Sequence, residues 1–203
     1  MDHHWQPMSI AEAHDRFTPS GVDWWIAGGH AIDLFLGWET RSHADLDIEM
    51  FRSDRAVLFD IFKGWDLHVA SEGQLLPWVA PEDIDDSVFG IWARSSSDDP
   101  WQLEIMFADG DRHEWRFRRD PLISMSGEKL VRKTAAGVPY CTPEVQLLYK
   151  SQLARPKDDV DLARCLHRMT IEQRSWLADA VARTSSGHPW IGALAESLER
   201  HHE

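Results

Sequence analysis

Cysteine is scarce in this sequence, and the patterns that usually organise it are absent. The 203 residues include two cysteines, Cys141 and Cys165, which are too few for a disulfide framework and lack the spacing of metal ligands. The 11 histidines form no H-E-x-x-H motif and no histidine–cysteine cluster, so zinc is not expected. A cytoplasmic protein without disulfides is therefore the default prediction.

Long apolar runs are missing as well. No run approaches the ~20 residues that a membrane-spanning helix needs, so no membrane partner is expected. Residues 1–17 contain no basic region followed by an apolar one, and they do not resemble a signal peptide.

Positive charge is the third shortage, because the formal net charge is -13. A protein that binds nucleic acid usually presents a basic surface, so no nucleic-acid partner is expected. The negative charge would suit a cationic partner, and it would equally serve solubility. Three acid-rich segments contribute to it, at residues 81–86, 97–100 and 109–111.

Residues 1–138 have the pattern of an α+β domain. Ser9 and Glu12 form a capping box that starts a helix, and short apolar runs separated by acidic or serine-rich turns predict a mixed or antiparallel sheet. Ser53 is placed to cap a helix that ends at Gly64. The 11 tryptophans are expected in the core or in the wall of a ligand site. Strands are predicted at 22–27, 45–51, 65–70, 74–80, 87–93, 101–107 and 114–118, with a short helix at 30–36.

Residues 139–203 are predicted to form a helical module. Proline and capping residues mark where its helices begin. Asp158 is expected to cap a helix, and Lys157, Asp158 and Asp161 to contribute an ion pair between the two domains. Helices are predicted from Pro143 to about Ala154, from near Asp158, from the Thr170–Gln173 capping box to about Arg183, and from Pro189.

The segment DLDIEMF, residues 45–51, alternates acidic with apolar residues. Alternate side chains of a strand share a face, so Asp45, Asp47 and Glu49 are expected to point one way. Two carboxylates one residue apart can hold one or two hard cations such as Mg²⁺, with phosphates and water completing the coordination. A polar edge strand gives the same pattern, and alternation alone favours that interpretation.

The predicted strand 101–107 carries a single charge, Glu104, in an otherwise apolar run. A buried acid costs free energy unless a cation or hydrogen-bond donors meet it. One interpretation is a salt bridge to an arginine of the 116–119 segment. The other is a third carboxylate beside Asp45 and Asp47, which would complete a metal site and accept a proton from a hydroxyl.

Gly28 and Gly29 lie between a predicted strand and a predicted helix. Such a turn offers backbone N–H groups at the positive end of a helix dipole, where phosphates bind. The pair is weak evidence alone, and it gains weight because the helix leads into the acidic strand.

Together these residues resemble the nucleotidyltransferase superfamily, which carries a Gly-Gly turn and a downstream D-x-D. WIAGGHAIDLFLGWETRSHADLDIEMF, residues 25–51, is similar to the aminoglycoside 2''-nucleotidyltransferases and related lincosamide-modifying enzymes. The segment 139–162 resembles a P-E-x-x-L-L-x-K…R-x-K-D-x-x-D signature in relatives of that family. The resemblance implies an α+β fold with a nucleotidyltransferase-like mixed sheet flanked by helices, followed by a C-terminal helical module.

The resemblance also implies roles for individual residues. Asp45 and Asp47 match the metal-binding pair, and Glu104 takes the place of the third carboxylate, often Asp, as metal ligand and candidate general base. Gly28 and Gly29 match the phosphate turn.

Three further residues are candidates for nucleotide binding. His30 stands where many members have serine, so it either donates a hydrogen bond to phosphate or packs. Arg41, which shares the T-R-x-H turn with His43, either contacts a phosphate or anchors the loop through a salt bridge. Lys150 matches a lysine that neutralises the triphosphate, and the alternative is an exposed surface lysine.

The implied activity is transfer of a nucleoside monophosphate from an NTP such as ATP to a hydroxyl of a small molecule. Two Mg²⁺ ions are the expected cofactor, and pyrophosphate is the leaving group. A cationic acceptor such as an aminoglycoside antibiotic is the first expectation. A lincosamide, another metabolite, a protein hydroxyl as in toxin–antitoxin-type enzymes, and a non-catalytic nucleotide-binding relative remain alternatives.

Overall fold

The apolar runs of the sequence form one mixed sheet at the centre of the fold. The computed structural model describes residues 4–71, 73–81 and 84–199, and within these ranges the sheet has ten strands. Eight strands follow the order β4-β3-β5-β6-β2-β1-β10-β9, and β7 joins β6 to β8 at the side. The strands are β1 (Trp24–Ile26), β2 (Asp47–Phe51), β3 (Asp66–Ser71), β4 (Gln74–Pro77), β5 (Gly90–Arg94), β6 (Leu103–Gly110), β7 (Glu114–Arg116), β8 (Ser124–Ser126), β9 (Val131–Lys133) and β10 (Pro139–Cys141).

Helices cover the sheet and follow it in the chain, so the α+β class expected from the sequence is confirmed. They are α1 (Ile10–Phe17), α2 (Gly28–Leu36), α3 (Leu58–Ile61), α4 (Gly127–Leu130), α5 (Pro143–Ser151), α6 (Pro156–Leu166), α7 (Ile171–Thr184) and α8 (Trp190–Glu199). None of the helices in the described ranges is both long enough and apolar enough to cross a membrane.

Strand β2 occupies the middle of the sheet. It pairs with β1 in antiparallel and with β6 in parallel orientation, and the register sets Asp47 opposite Glu104. Ile48 and Met50 are fully buried, as the alternation predicts. The two strands that carry the predicted carboxylates are therefore neighbours, although 50 residues or more separate them in the chain.

The core is rich in aromatic rings. All three residues of β1 are buried, because the central strand is covered on both faces. Helix α1 places Phe17 against Trp24 and Phe62, with ring centroids 5.2 Å and 5.6 Å apart. Offset and edge contacts of this kind add to the burial of apolar area.

The helices after β10 pack on one another and on α2. Helix α5 contacts α6 and α7, while α2 contacts α5 and α6. Strand β10 still belongs to the sheet, because it pairs in parallel with β1. The division of the chain into 1–138 and 139–203 stays a prediction.

The segment after β2 differs from the predicted helix that Ser53 was expected to cap. Residues Arg52–Val57 form a 3-10 helix, the α-helical part is limited to Leu58–Ile61, and Ser53 makes no capping hydrogen bond. The Arg55 side chain donates to the Arg52 carbonyl at 3.2 Å within this 3-10 segment.

Candidate active site

Three carboxylates converge at the start of β2. Asp47 begins β2, Glu104 is its partner on β6, and Asp45 lies in the bend before β2. One oxygen from each of the three lies within 4.8 Å of the others. Asp45 was expected inside the strand, but the strand begins two residues later and leaves this side chain exposed. The grouping survives because the bend keeps Asp45 beside Asp47.

Gly28 makes room for one of these carboxylates. Its φ is +63°, and a Cβ atom at this position would collide with the carboxylate of Asp47. The N–H of Ala27 donates to the Asp47 carbonyl at 2.9 Å, and the N–H of Gly28 donates to Gln146 Oε1 at 2.9 Å. The turn is thus locked to β2 and to α5. The backbone N–H groups of Gly29 and His30, in the first turn of α2, have no acceptor within the helix.

The three acids repel one another. Burial, followed by the charges of Asp45 and Glu104, raises the pKa of Asp47 to about 7, against the pull of Lys150 and Lys157. Three carboxylate oxygens in this arrangement are a donor set for a hard cation, which would offset the repulsion. The residues present therefore fit Mg²⁺.

Glu104 is itself buried beside Asp45. Burial raises the pKa of Glu104, a hydrogen bond from Trp92 lowers it, and the charge of Asp45 raises it. Among the described residues, no arginine of the 116–119 segment forms an ion pair with Glu104; Arg116 instead pairs with Glu114 at 2.6 Å. The salt-bridge interpretation of Glu104 is therefore wrong.

A cavity of about 560 Å³ opens in front of Asp45 and Asp47. Both carboxylates and cations line it. The tryptophans do not line the cavity, although the indole N–H of one of them, Trp25, donates to the cavity-lining Glu49 at 2.9 Å. The cations that line it are Arg41, Arg118, Lys150, Arg155 and Lys157.

Lys150 lies at the cavity wall, but it is already paired. Its Nζ is 2.9 Å from Asp161 Oδ2 and 3.4 Å from Asp158 Oδ1, and the side chain is 5% exposed. The alternative of an exposed surface lysine is therefore wrong. Asp158 and Asp161 do form ion pairs, but their partner Lys150 lies in the same segment, 139–203, and not in the other predicted domain. The contact that reaches residues 1–138 joins Asp161 Oδ2 to Arg41 Nη2, at 3.7 Å.

The start of α6 differs from the prediction in one detail. Arg155 is the N-cap residue, and Asp158 lies at the third helical position, where its carboxylate accepts from the Arg155 N–H at 3.1 Å. Lys157 was expected in a structural role, and it is exposed and lines the cavity.

Arg41 and His30 meet around His43. Arg41 Nη1 lies 3.0 Å from His43 Nδ1, and the His30 and His43 rings are 4.2 Å apart. Burial and the neighbouring His43 lower the pKa of His30. His30 packs on His43, which is one of its two expected roles, and hydrogen bonding to a phosphate stays a prediction. Arg41 also lies 3.7 Å from Asp161 and lines the cavity.

Four cavity residues were not assigned a role from the sequence. Glu49 Oε1 lies 3.4 Å from the Tyr149 hydroxyl, and burial raises the pKa of Glu49 to about 7. Gln146 and Arg118 complete the group. Positions 146, 149, 150 and 153 are related by steps of three or four residues, which is the spacing of one helix face. This spacing could have identified Gln146 and Tyr149 from the sequence. No sequence pattern pointed to Arg118, which lies in the loop after β7.

The acid-rich segments lie elsewhere. Asp85, Asp99 and Asp111 accept hydrogen bonds from residues two to four positions away in the chain and thereby hold their own turns. Glu82 and Asp83 lie outside the described residues. The acids that line the cavity are Asp45, Asp47 and Glu49.

The fit of Gly28 around Asp47 predicts that Gly28→Ala destabilises the protein. Positive φ alone costs about 1–2 kcal/mol for a residue with a Cβ atom, and the collision with Asp47 adds to it. Gly64→Ala is the matched control, because Gly64 has φ +82° and open space around it. Urea unfolding of both variants measures the difference, and equal losses would contradict the close fit.

The buried pairing of Lys150 predicts that Lys150→Met destabilises the protein by about 3–5 kcal/mol, because two buried carboxylates lose their cation. Lys63→Met, at an exposed lysine, should change stability by less than about 0.5 kcal/mol. Adding Asp158→Asn and Asp161→Asn to Lys150→Met should restore part of the loss in denaturant unfolding. If no stability returned, the charge pairing would not be the cause.

Part of the chain matches a known family by sequence. Residues 9–73 match the family model described as aminoglycoside-2''-adenylyltransferase, and this range contains the Gly-Gly turn, Asp45 and Asp47. A comparison with proteins of curated function finds no match.

Two solved structures share the fold. The chain is 16% identical to the lincosamide antibiotic adenylyltransferase LnuA, solved with lincomycin bound, with a TM-score of 0.54 over 80% of this chain and 97% of that one. It is 19% identical to the antibiotic-resistance factor ANT(2'')-Ia, with a TM-score of 0.54 over 96% of this chain and 97% of that one. The resemblance inferred from the sequence is thus confirmed: the chain shares the fold of LnuA and ANT(2'')-Ia, its residues 9–73 match the model of the aminoglycoside-2''-adenylyltransferase family, and together these findings support an enzyme of the nucleotidyltransferase type.

Proposed function

We propose that this protein is a metal-dependent nucleotidyltransferase that transfers a nucleoside monophosphate from an NTP to a hydroxyl of a small molecule. An aminoglycoside-type antibiotic is the first candidate acceptor. The observation that carries the proposal is the convergence of Asp45, Asp47 and Glu104 beside a cavity that five cations also line. Carboxylates and cations facing one space suit a magnesium nucleotide.

The nucleotide half of the site consists of α2 and the cations. The N–H groups of Gly29 and His30 and the guanidinium of Arg41 are the proposed donors to the phosphates. Gly28 contributes by leaving space for Asp47. Lys150 adds positive charge, although Asp158 and Asp161 partly offset it. Lys157 and Arg118 line the same cavity and supplement that charge.

Asp45, Asp47 and Glu104 would hold Mg²⁺, and the proposal includes two ions. When bound, Mg²⁺ lowers the energy of the charge that develops on the transferred phosphoryl group and on the leaving pyrophosphate. The residues of the chain do the positioning: Gly28 and the parallel β2–β6 pairing fix where the carboxylates point.

Glu104 is the proposed general base. The acceptor hydroxyl oxygen forms a bond to the α-phosphorus, its proton passes to the Glu104 carboxylate, and the bond between the α-phosphorus and the bridging oxygen breaks as pyrophosphate leaves. Burial raises the pKa of Glu104, which makes its carboxylate a better proton acceptor.

The acceptor half is proposed to lie around Glu49 and Tyr149, at the side of the cavity away from α6. Glu49 is buried, and its carboxylate is satisfied by Trp25 and by a long contact to Tyr149. An acid at this place would suit an amine-bearing acceptor. The cavity lies between the sheet and α5, so the proposed domains 1–138 and 139–203 would both contribute to it.

Asp47→Asn tests the carboxylate site. Removing one metal-binding charge should lower turnover by about 10³-fold, since the metal contributes several kcal/mol to the transition state. Mg²⁺ should raise the melting temperature of the wild type and not that of the variant. Asp60→Asn, at an exposed aspartate, is the matched control. Pyrophosphate release and thermal melts measure both effects, and full turnover in Asp47→Asn would refute the assignment.

An acceptor panel tests the reaction. With ATP or GTP and Mg²⁺, an aminoglycoside such as tobramycin is expected to gain the mass of one nucleoside monophosphate, with equimolar pyrophosphate. Lincomycin and simple sugars form the second and third arms, and labelling of protein hydroxyls forms the fourth. A product in another arm would reassign the acceptor. Absence of pyrophosphate release in every arm would contradict the proposed activity.

A further inference from the structure

A chain of hydrogen bonds runs from the loop after α2 to the cavity wall. The backbone N–H and the hydroxyl of Thr40 donate to Asp33 Oδ1 at 3.0 Å and 2.6 Å. Asp33 Oδ2 lies 2.6 Å from His43 Nε2, and His43 Nδ1 lies 3.0 Å from Arg41 Nη1. The segment thus connects a buried carboxylate to a guanidinium through one imidazole.

The chemistry of the two ends fixes the direction of each bond. Burial alone would raise the pKa of Asp33, but the hydrogen bonds from Thr40 and His43 hold it below its usual value, so Asp33 is an acceptor. His43 Nε2 therefore carries the hydrogen. A guanidinium can only donate, so Nδ1 of His43 accepts from Arg41. One neutral tautomer of His43 satisfies both neighbours.

The surroundings confine the imidazole. The side chain of His43 is 4% exposed, and the His30 ring packs on it at 4.2 Å. A Cβ atom on Gly29 would collide with the His43 ring, and it would lie 2.6 Å from Arg41 Nη2. Gly29 is thus the residue that lets His43 and Arg41 lie against the first turn of α2.

The guanidinium at the end of the chain retains unused donors. Arg41 Nε is buried and has no hydrogen-bond partner among the described residues. Nη2 is 3.7 Å from Asp161 Oδ2, which is longer than a hydrogen bond. Arg41 lines the cavity at the N-terminus of α2, where the helix dipole favours anions. An anion bound in the cavity beside Arg41 would supply an acceptor for these donors.

We propose that Asp33 and His43 are positioning residues that hold the Arg41 guanidinium at the cavity wall, where its remaining N–H groups bind the triphosphate of the nucleotide. The proposal rests on the proposed function. The proposal also gives His30 a role, because the His30 ring packs against the ring of His43.

The same residues do not favour a metal. His30, Asp33 and His43 offer ligand atoms within 4.8 Å of one another. Asp33 and both nitrogens of His43 are, however, engaged in the hydrogen bonds described above, and the positive charge of Arg41 adjoins the group. A metal would have to displace these contacts.

The test compares two substitutions of His43. His43→Phe keeps a ring of similar shape and removes both hydrogen bonds. His43→Gln keeps one donor and one acceptor, so it should rescue part of the effect. His167→Phe is the matched control, because His167 is exposed at the end of α6. Calorimetry with Mg²⁺ and an α,β-methylene analogue of ATP measures binding without turnover.

His43→Phe is expected to weaken analogue binding by about tenfold, equivalent to about 1.4 kcal/mol. His43→Gln should weaken it less, and His167→Phe should not change it. In Arg41→Lys, adding His43→Phe should cost much less than in the wild type, because the two residues act through one group. The fold of each variant is checked by circular dichroism.

Four results would overturn the proposal. Equal affinity of His43→Phe and wild type, in a protein that binds the analogue, would refute the positioning role and leave the proposed function standing. Independent, additive losses in the double variant would also refute it. Failure of the wild type to bind the analogue would refute both. A zinc titration is added, because stabilisation of the wild type by Zn²⁺ that His43→Phe lacks would replace the hydrogen-bonded chain with a metal site.

Discussion

The candidate site depends on the parallel pairing of β2 with β6, which sets Asp47 opposite Glu104. This pairing brings carboxylates together at a partly buried position. The backbone of the Gly-Gly turn approaches them so closely that only residues without a Cβ atom fit there. Gly28 leaves the space that the Asp47 carboxylate fills, and Gly29 leaves the space for His43 and Arg41. The turn therefore does more than expose backbone N–H groups: the space that side chains at positions 28 and 29 would need is occupied by side chains of the candidate site.

Two of the cations that line the cavity are paired with buried carboxylates. Lys150 is paired with Asp158 and Asp161, and Arg155 is paired with Asp158. Buried pairs of this kind contribute little net stability, but they cost much when one partner is lost. They keep α5 and α6 in fixed relation, so that cations stay at the cavity even when no anion is bound. Arg118 and Lys157, which are exposed, have fewer such constraints.

Local patterns in the sequence predicted the elements that depend on local chemistry. Alternation predicted β2, and a lone acid in an apolar run singled out Glu104. The Gly-Gly turn predicted the start of α2. Contacts between residues distant in the chain could not be predicted from such patterns. Whether Glu104 lies beside an arginine or an aspartate depends on the order of the strands in the sheet, and hydrophobic periodicity within one strand does not determine that order. The same reason applies to Arg118, which reaches the cavity from a loop, and to Lys157, whose place depends on how α6 packs against α2.

The residues that match the family model contribute unequally to the two proposed halves of the cavity. Most of the proposed nucleotide half, from Gly28 to Asp47, lies inside residues 9–73. The proposed acceptor half is built mainly from outside that range, by Phe107 and Tyr149, with Glu49 as the exception. Shared fold at 16–19% identity carries over the arrangement of sheet and helices, whereas recognition of an acceptor depends on a few side chains. In the proposed site, the choice of acceptor would therefore be set mainly by side chains such as Phe107 and Tyr149, which lie outside the matched residues 9–73, together with the buried Glu49.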